Sequence, residues 1–116
     1  EYRVPGARLT AQGVYHDMRI GFGSELCALM DAPGWTDIMI NPDDEDIVWV
    51  DTDSMRPVTC HYDRNSILGA ARLLASYFNV PFNVGEDQVL DAVLPIMGIR
   101  ANFVSPPADI TIKISV

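Results

Sequence analysis

Between Leu26 and Asp51 the apolar spacing switches from helical to alternating within a few residues. That switch limits the fold more than any other feature of the chain. The stretch reads LCALMDAPGWTDIMINPDDEDIVWVD. Leu26, Leu29 and Met30 recur at helical spacing. Pro33-Gly34 is a breaker pair that ends the helix. Thr36-Asp-Ile-Met-Ile40 follows as a strand, then Asn41-Pro-Asp-Asp-Glu-Asp46 as a polar turn. Ile47-Val-Trp-Val50, β-branched and aromatic, is the second strand. A helix, a tight turn and a two-strand hairpin therefore form one unit, to which the other segments are added.

A chain of 116 residues suits one domain, and with 48% apolar residues it can bury a core. No run reaches the ~18 to 20 apolar residues of a membrane span. The sequence begins with Glu1 rather than Met, as a trimmed end would, and shows no signal peptide. Cys27 and Cys60 are the only cysteines, too few for a disulfide scaffold. They read as small buried hydrophobes in a reducing, cytoplasmic setting. The net charge of −8 argues against direct nucleic-acid binding, which needs clustered Lys and Arg. Asp43, Asp44, Glu45, Asp46, Asp51 and Asp53 supply much of that charge and read as solvated turns.

Residues 1–12, with Pro5 and Gly6, read as a loose lead-in, and 13–116 as the domain. Val14, Met18, Phe22, Leu26 and Leu29 or Met30 hold a helical stripe. Gly21 and Gly23 weaken it by ~1 kcal/mol each relative to Ala, leaving one interrupted helix or two short ones. Ser24 is a plausible restart cap. Pro57–Cys60 reads as a short third strand. Asp63 or Asn65-Ser66 caps a helix of roughly fifteen residues, with Ile67, Ala70, Ala71, Leu74, Tyr77 and Phe78 as its apolar face. Arg64 and Arg72 fall off that face, and Asn79-Val-Pro81 ends the helix. Asn83–Asp87 is a loop, and Val89–Leu94 suits helix or strand, the close bounds at Pro95 and Gly98 favouring a strand. In 99–104, Arg100 and Asn102 alternate with Ile99, Ala101 and Phe103. Ser105–Asp109 is a turn, and Ile110–Ile114 places Thr111 and Lys113 on one face. The C-terminal part is thus a three-strand meander.

Several chemistries lack their residues. Asp51-Thr-Asp-Ser54 resembles a polymerase metal hairpin, but nothing around it matches that machinery. No EF-hand Gly or terminal Glu follows it. Cys60, His61, His16 and Cys27 lack zinc-site spacing. Cys60 and His61, adjacent on a strand, would point to opposite faces and could not act as nucleophile and base. Gly21-Phe-Gly-Ser-Glu25 is no phosphate loop, and no G-x-x-x-x-G-K-[ST] is present. The chain by itself should therefore not turn over ATP.

Read together, three blocks carry a resemblance. They are LCALMDAPGWTDIMINPDDEDIVWVD (26–51), ILGAARLLASYFNVPFN (67–83) and VLDAVLPIMGIRANFVSPPADITIKI (89–114). In order and spacing, over about residues 24–116, they resemble the N-terminal domain of the traffic ATPases of type IV secretion, conjugation and pilus assembly, of the TrbB and CpaF kind.

The resemblance implies a small α+β unit with a mostly antiparallel sheet of about five to six strands and two to three helices. It implies a hexameric ring and packing against the protein's own C-terminal ATPase domain, which would hold the P-loop beyond Val116. It further implies contacts with inner-membrane secretion-system components, a cytoplasmic location peripheral to that membrane, and ATP with Mg as the cofactor of the full-length parent. Arg100 matches the family Arg near the nucleotide phosphates. Lys113 matches a second such Arg, keeping the charge without the planar fork. Pro95-Ile-Met-Gly98 lacks the Asp of the family turn. The alternative, suggested by the acidic charge without a catalytic constellation, is a free-standing acidic protein-binding domain, immunity- or inhibitor-like.

Overall fold

A computed structural model describes residues 9–42, 44–82, 88–105 and 111–115. The elements in chain order are α1 (Ala11–Phe22), α2 (Ser24–Asp31), β1 (Asp37–Ile40), β2 (Ile47–Asp51), β3 (Met55–Thr59), α3 (Arg64–Phe78), β4 (Gln88–Val93), β5 (Arg100–Ser105) and β6 (Thr111–Ser115). They form the expected α+β architecture, a six-stranded sheet whose apolar face packs with three helices.

The interrupted helical segment is two helices. α1 starts inside the stretch read as lead-in, because the Thr10 side chain accepts a bond from the Gly13 N–H at 3.1 Å and caps it. Residues 1–8 of that stretch lie outside the described residues. Gly23, at φ +88°, separates the helices in a conformation that L side chains rarely adopt. Gly23, not Ser24, is the cap of α2, and it offers no side-chain bond. The stripe Val14, Met18, Phe22, Leu26 and Met30 is buried throughout. After Pro33-Gly34 the chain doubles back, and the Trp35 indole N–H donates to the Met30 carbonyl at 3.3 Å.

α3 begins after Asp63, one of the two expected caps. The Asp63 carboxylate accepts from the Ser66 hydroxyl at 2.8 Å rather than from a backbone amide. Ile67, Ala70, Ala71 and Leu74 are buried as expected, but Ala75 completes the face while Phe78 is 42% exposed. Burial stops one turn before the helix does, since Asn79 then enters the left-handed conformation and the chain turns away.

Arg72 is exposed, whereas Arg64 is half-buried. Its guanidinium donates to the carbonyls of Asn41 and Asp44, both at 2.6 Å. The Tyr62 hydroxyl donates to the carbonyls of Asp44 and Ile47. These bonds tie the polar turn between β1 and β2 to the start of α3.

The strand order is β3-β2-β1-β6-β5-β4, with every pair antiparallel. Two three-strand meanders are therefore joined where β1 pairs with β6. The second is the expected C-terminal meander, and the stretch 89–94 is strand rather than helix, observed as β4 at Gln88–Val93 with Leu94 just past its end. The segment read as loop 83–87, Asp43 and Ile110 lie outside the described residues, as do residues 106–109 of the turn read at Ser105–Asp109, whose first residue, Ser105, instead ends β5. Ile38, Ile40, Val48, Ala101, Phe103, Ile112 and Ile114 point to one side of the sheet and are 0–1% exposed among helix side chains.

Candidate functional site

The opposite face of the sheet carries the residues of interest. Strand pairing lines up one row across all six strands, which runs Pro57, Trp49, Met39, Lys113, Asn102, Asp91. The next row runs Met55, Asp51, Asp37, Ser115, Arg100, Val93. Both rows are exposed or half-buried. On the β1–β3 side Pro57, Trp49, Met39 and Met55 are apolar, while Asp37, Lys113 and Arg100 gather where β1, β6 and β5 adjoin, flanked by Asp51 on β2 and Asp91 on β4.

Arg100 and Lys113 belong to this open face. Asn102 pairs with Lys113 and Arg100 with Ser115, so the two cations sit diagonally on neighbouring strands. Such diagonals span roughly 7–8 Å, within reach of two long side chains around one anion. The Lys113 ammonium lies 3.9 Å from an Asp37 carboxylate oxygen, with side-chain exposures of 51% and 27%. Asp37 in turn stands directly opposite Asp51, a like-charge pair that opposes strand pairing. Asn102 donates to the Asp91 carboxylate at 2.5 Å. In the turn before Arg100, the Leu94 N–H donates to the Ile99 carbonyl at 2.7 Å, and Ile96 is held at φ +69°, 60% exposed. That is a strained conformation for a β-branched residue.

The remaining candidates do not join this face into a larger site. Cys60 is buried and burial pushes its thiol up to about 11. Burial likewise raises Cys27. Neither is a thiolate near neutral pH. Cys60 and His61 lie just past β3, not within it. Cys60 turns into the core while His61 stays exposed, its Nδ1 3.4 Å from the Asp46 carboxylate. Thr52, Asp53 and Ser54 form the exposed β2–β3 turn. Among the described residues no group of three or more His, Cys, Asp or Glu is placed to hold a metal ion. A groove of about 770 Å³ runs between α1 and α3 beside Leu9, Ile20 and Leu73. A second, of about 520 Å³, lies at the α1–α2 junction, where Arg19 and Asp31 form a two-bond ion pair at 3.0 and 2.6 Å. Neither groove includes Arg100 or Lys113.

The fold has a solved counterpart. It is similar to the VirB11 ATPase from the Brucella suis type IV secretion system, solved in complex with sulphate, with a TM-score of 0.75 and 20% sequence identity. The match covers 91% of this chain and 32% of that one, so this chain spans about a third of its neighbour's length. No protein-family model matches the sequence, and no curated protein matches it significantly. The likeness is therefore one of fold. No helix among the described residues is long and apolar enough to cross a membrane.

Two features of the open face escape a reading of the sequence. Asp37 as the neighbour of Lys113 depends on the β1–β6 pairing, for which local periodicity carries no signal. Asp91 with Asn102 is a cross-strand pair that the alternation of both strands permits but does not select. The alternation at 99–104 and 110–114 does place Arg100 and Asn102 together, and Lys113 outward.

Proposed function

We propose that this chain is the N-terminal domain of a traffic ATPase of type IV secretion, conjugation or pilus assembly, with Arg100 and Lys113 turned toward nucleotide phosphates held mainly by a neighbouring ATPase domain. The observation that carries the proposal is the fold shared with a type IV secretion ATPase over 91% of the chain. The open face supports it chemically. Two exposed cations on one unwalled surface cannot enclose a ligand, but they complete a site that another domain presents. Arg supplies a planar fork and Lys a point charge, both suited to phosphate oxygens. In this role the parent hydrolyses ATP with Mg in a hexameric ring, at the cytoplasmic side of the inner membrane beside other secretion components. This domain supplies ring contacts and phosphate-sensing charge, not the hydrolytic machinery.

Two experiments test it. The reading frame past Val116 should encode G-x-x-x-x-G-K-[ST]; a stop codon without that motif removes the assignment. In the parent, Arg100→Ala should lower ATP turnover while the domain remains folded by circular dichroism. Unchanged turnover takes Arg100 out of the nucleotide site.

A further inference from the structure

We infer that Asp37 is the internal counter-ion of this phosphate-facing surface and sets which anions it accepts. The inference presupposes the role proposed above for Arg100 and Lys113 and adds the residue that regulates it. Asp37 occupies the position between the two halves of the open face. On one side it meets Asp51 across β1–β2, on the other Ser115 across β1–β6, and beyond Ser115 stands Arg100 in the same row. Its carboxylate is the group beside the Lys113 ammonium, at 3.9 Å.

Three consequences follow from that placement. An anion approaching Lys113 competes with a carboxylate already there. It also enters the field of Asp51, which a small anion touching Lys113 alone does not offset. A chain of several phosphates reaches Lys113 and Arg100 together, gains two attractions and displaces the Asp37 contact. The surface therefore discriminates by reach, favouring polyphosphate groups that span both cations over orthophosphate or sulfate. The Asp37–Asp51 opposition keeps the Lys113–Asp37 contact from being a purely stabilising surface pair. Exposed ion pairs of this length contribute little to folding, so its effect is expected in ligand competition.

The test uses inorganic tripolyphosphate and orthophosphate as probes of the full chain, by calorimetric titration at low salt. Asp37→Asn should tighten tripolyphosphate binding by about threefold to tenfold, as expected for removing one like charge a few ångströms away near solvent. It should also narrow the preference for tripolyphosphate over orthophosphate. Asp37→Glu, which keeps the charge, should restore the wild-type preference. In a Lys113→Met background the Asp37→Asn gain should shrink, because the competed cation is gone. If Asp37→Asn leaves affinity and preference unchanged while Lys113→Met or Arg100→Ala weakens binding, the counter-ion role of Asp37 is wrong and the phosphate-facing surface stands. If tripolyphosphate binding is absent or indifferent to all of these substitutions, the inference about Asp37 is overturned, while the role of Arg100 is decided separately by ATP turnover in the parent. Thermal unfolding of each variant separates a lost site from a lost fold.

Discussion

The two faces of the one sheet make opposite demands on the side chains they carry. On the covered face, Ile38, Ala101, Phe103, Ile112 and Ile114 are 0–1% exposed, and their identity follows from filling volume under three helices. On the open face, Lys113, Arg100 and Asp37 occupy the same strands in the alternate positions, with Asp51 opposite Asp37 on β2. Packing does not require them there, and the Asp37–Asp51 opposition works against strand pairing. Residues kept on a face that folding does not need are the ones to explain by contact with something else. The exposed apolar groups of that face, Ile47, Met55, Val89 and Val93, point the same way.

The sharpest way to break the contrast is to truncate the covered face. Phe103→Ala should destabilise the domain by about 3–5 kcal/mol, read as a lowered midpoint in urea unfolding. A loss under 1 kcal/mol would mean that this face is not the core. Next comes the tie between the sheet and α3. Arg64→Met deprives the carbonyls of Asn41 and Asp44 of a charged donor, with an expected loss of about 1.5–3 kcal/mol. Hydrogen exchange should rise first in the β1–β2 turn.

Gly21→Ala pits two principles against each other. Alanine normally favours a helix over glycine by about 1 kcal/mol. Here a Cβ would stand 2.8 Å from the Ser66 backbone oxygen and 3.0 Å from the Ala70 Cβ. Overpacking of this kind costs about 1–3 kcal/mol, so the variant should be less stable in spite of its propensity. A stabilised Gly21→Ala would show that α1 and α3 can separate freely.

A pH experiment probes the buried thiol. Because the folded state holds Cys60 protonated up to about 11, against an ordinary 9.0, its contribution is complete below about pH 9. It is lost as pH rises through about 11, when the unfolded chain ionises and the folded one resists. Wild-type stability should fall over that window more steeply than that of Cys60→Ala, measured by the denaturation midpoint against pH. The smallest effect is expected on the open face, where Arg100→Ala and Lys113→Met should each change stability by less than about 0.5 kcal/mol. A larger loss in either would make it a structural residue and weaken the functional reading of that face.

Much of the fold was legible because the periods are clean. The 2-residue alternation of 110–114 and 99–104, and the helical stripe from Val14 to Met30, follow from which side chains water excludes. Departures came where a single local bond outweighed pattern. The Thr10 cap moved the start of α1 into the presumed lead-in, and the end of α3 left Phe78 in solvent while Ala75 took its place. Helical spacing places Arg64 only off the apolar face of α3; its bonds to the carbonyls of Asn41 and Asp44 are not foreseen from it, because acceptors on a distant turn leave no mark on that spacing.

The sequence by itself determined the element types, the covered side of each strand, and the outward placement of Arg100 and Lys113, since all of these depend on neighbours a few residues away. Tertiary structure alone decided that β1 and β6 lie side by side, and with it that Asp37 meets Lys113 and that both cations share one surface. Backbone hydrogen bonds between strands are chemically alike at every position. Which strands pair is therefore set by how the whole apolar face closes under the helices, not by any local stretch of residues.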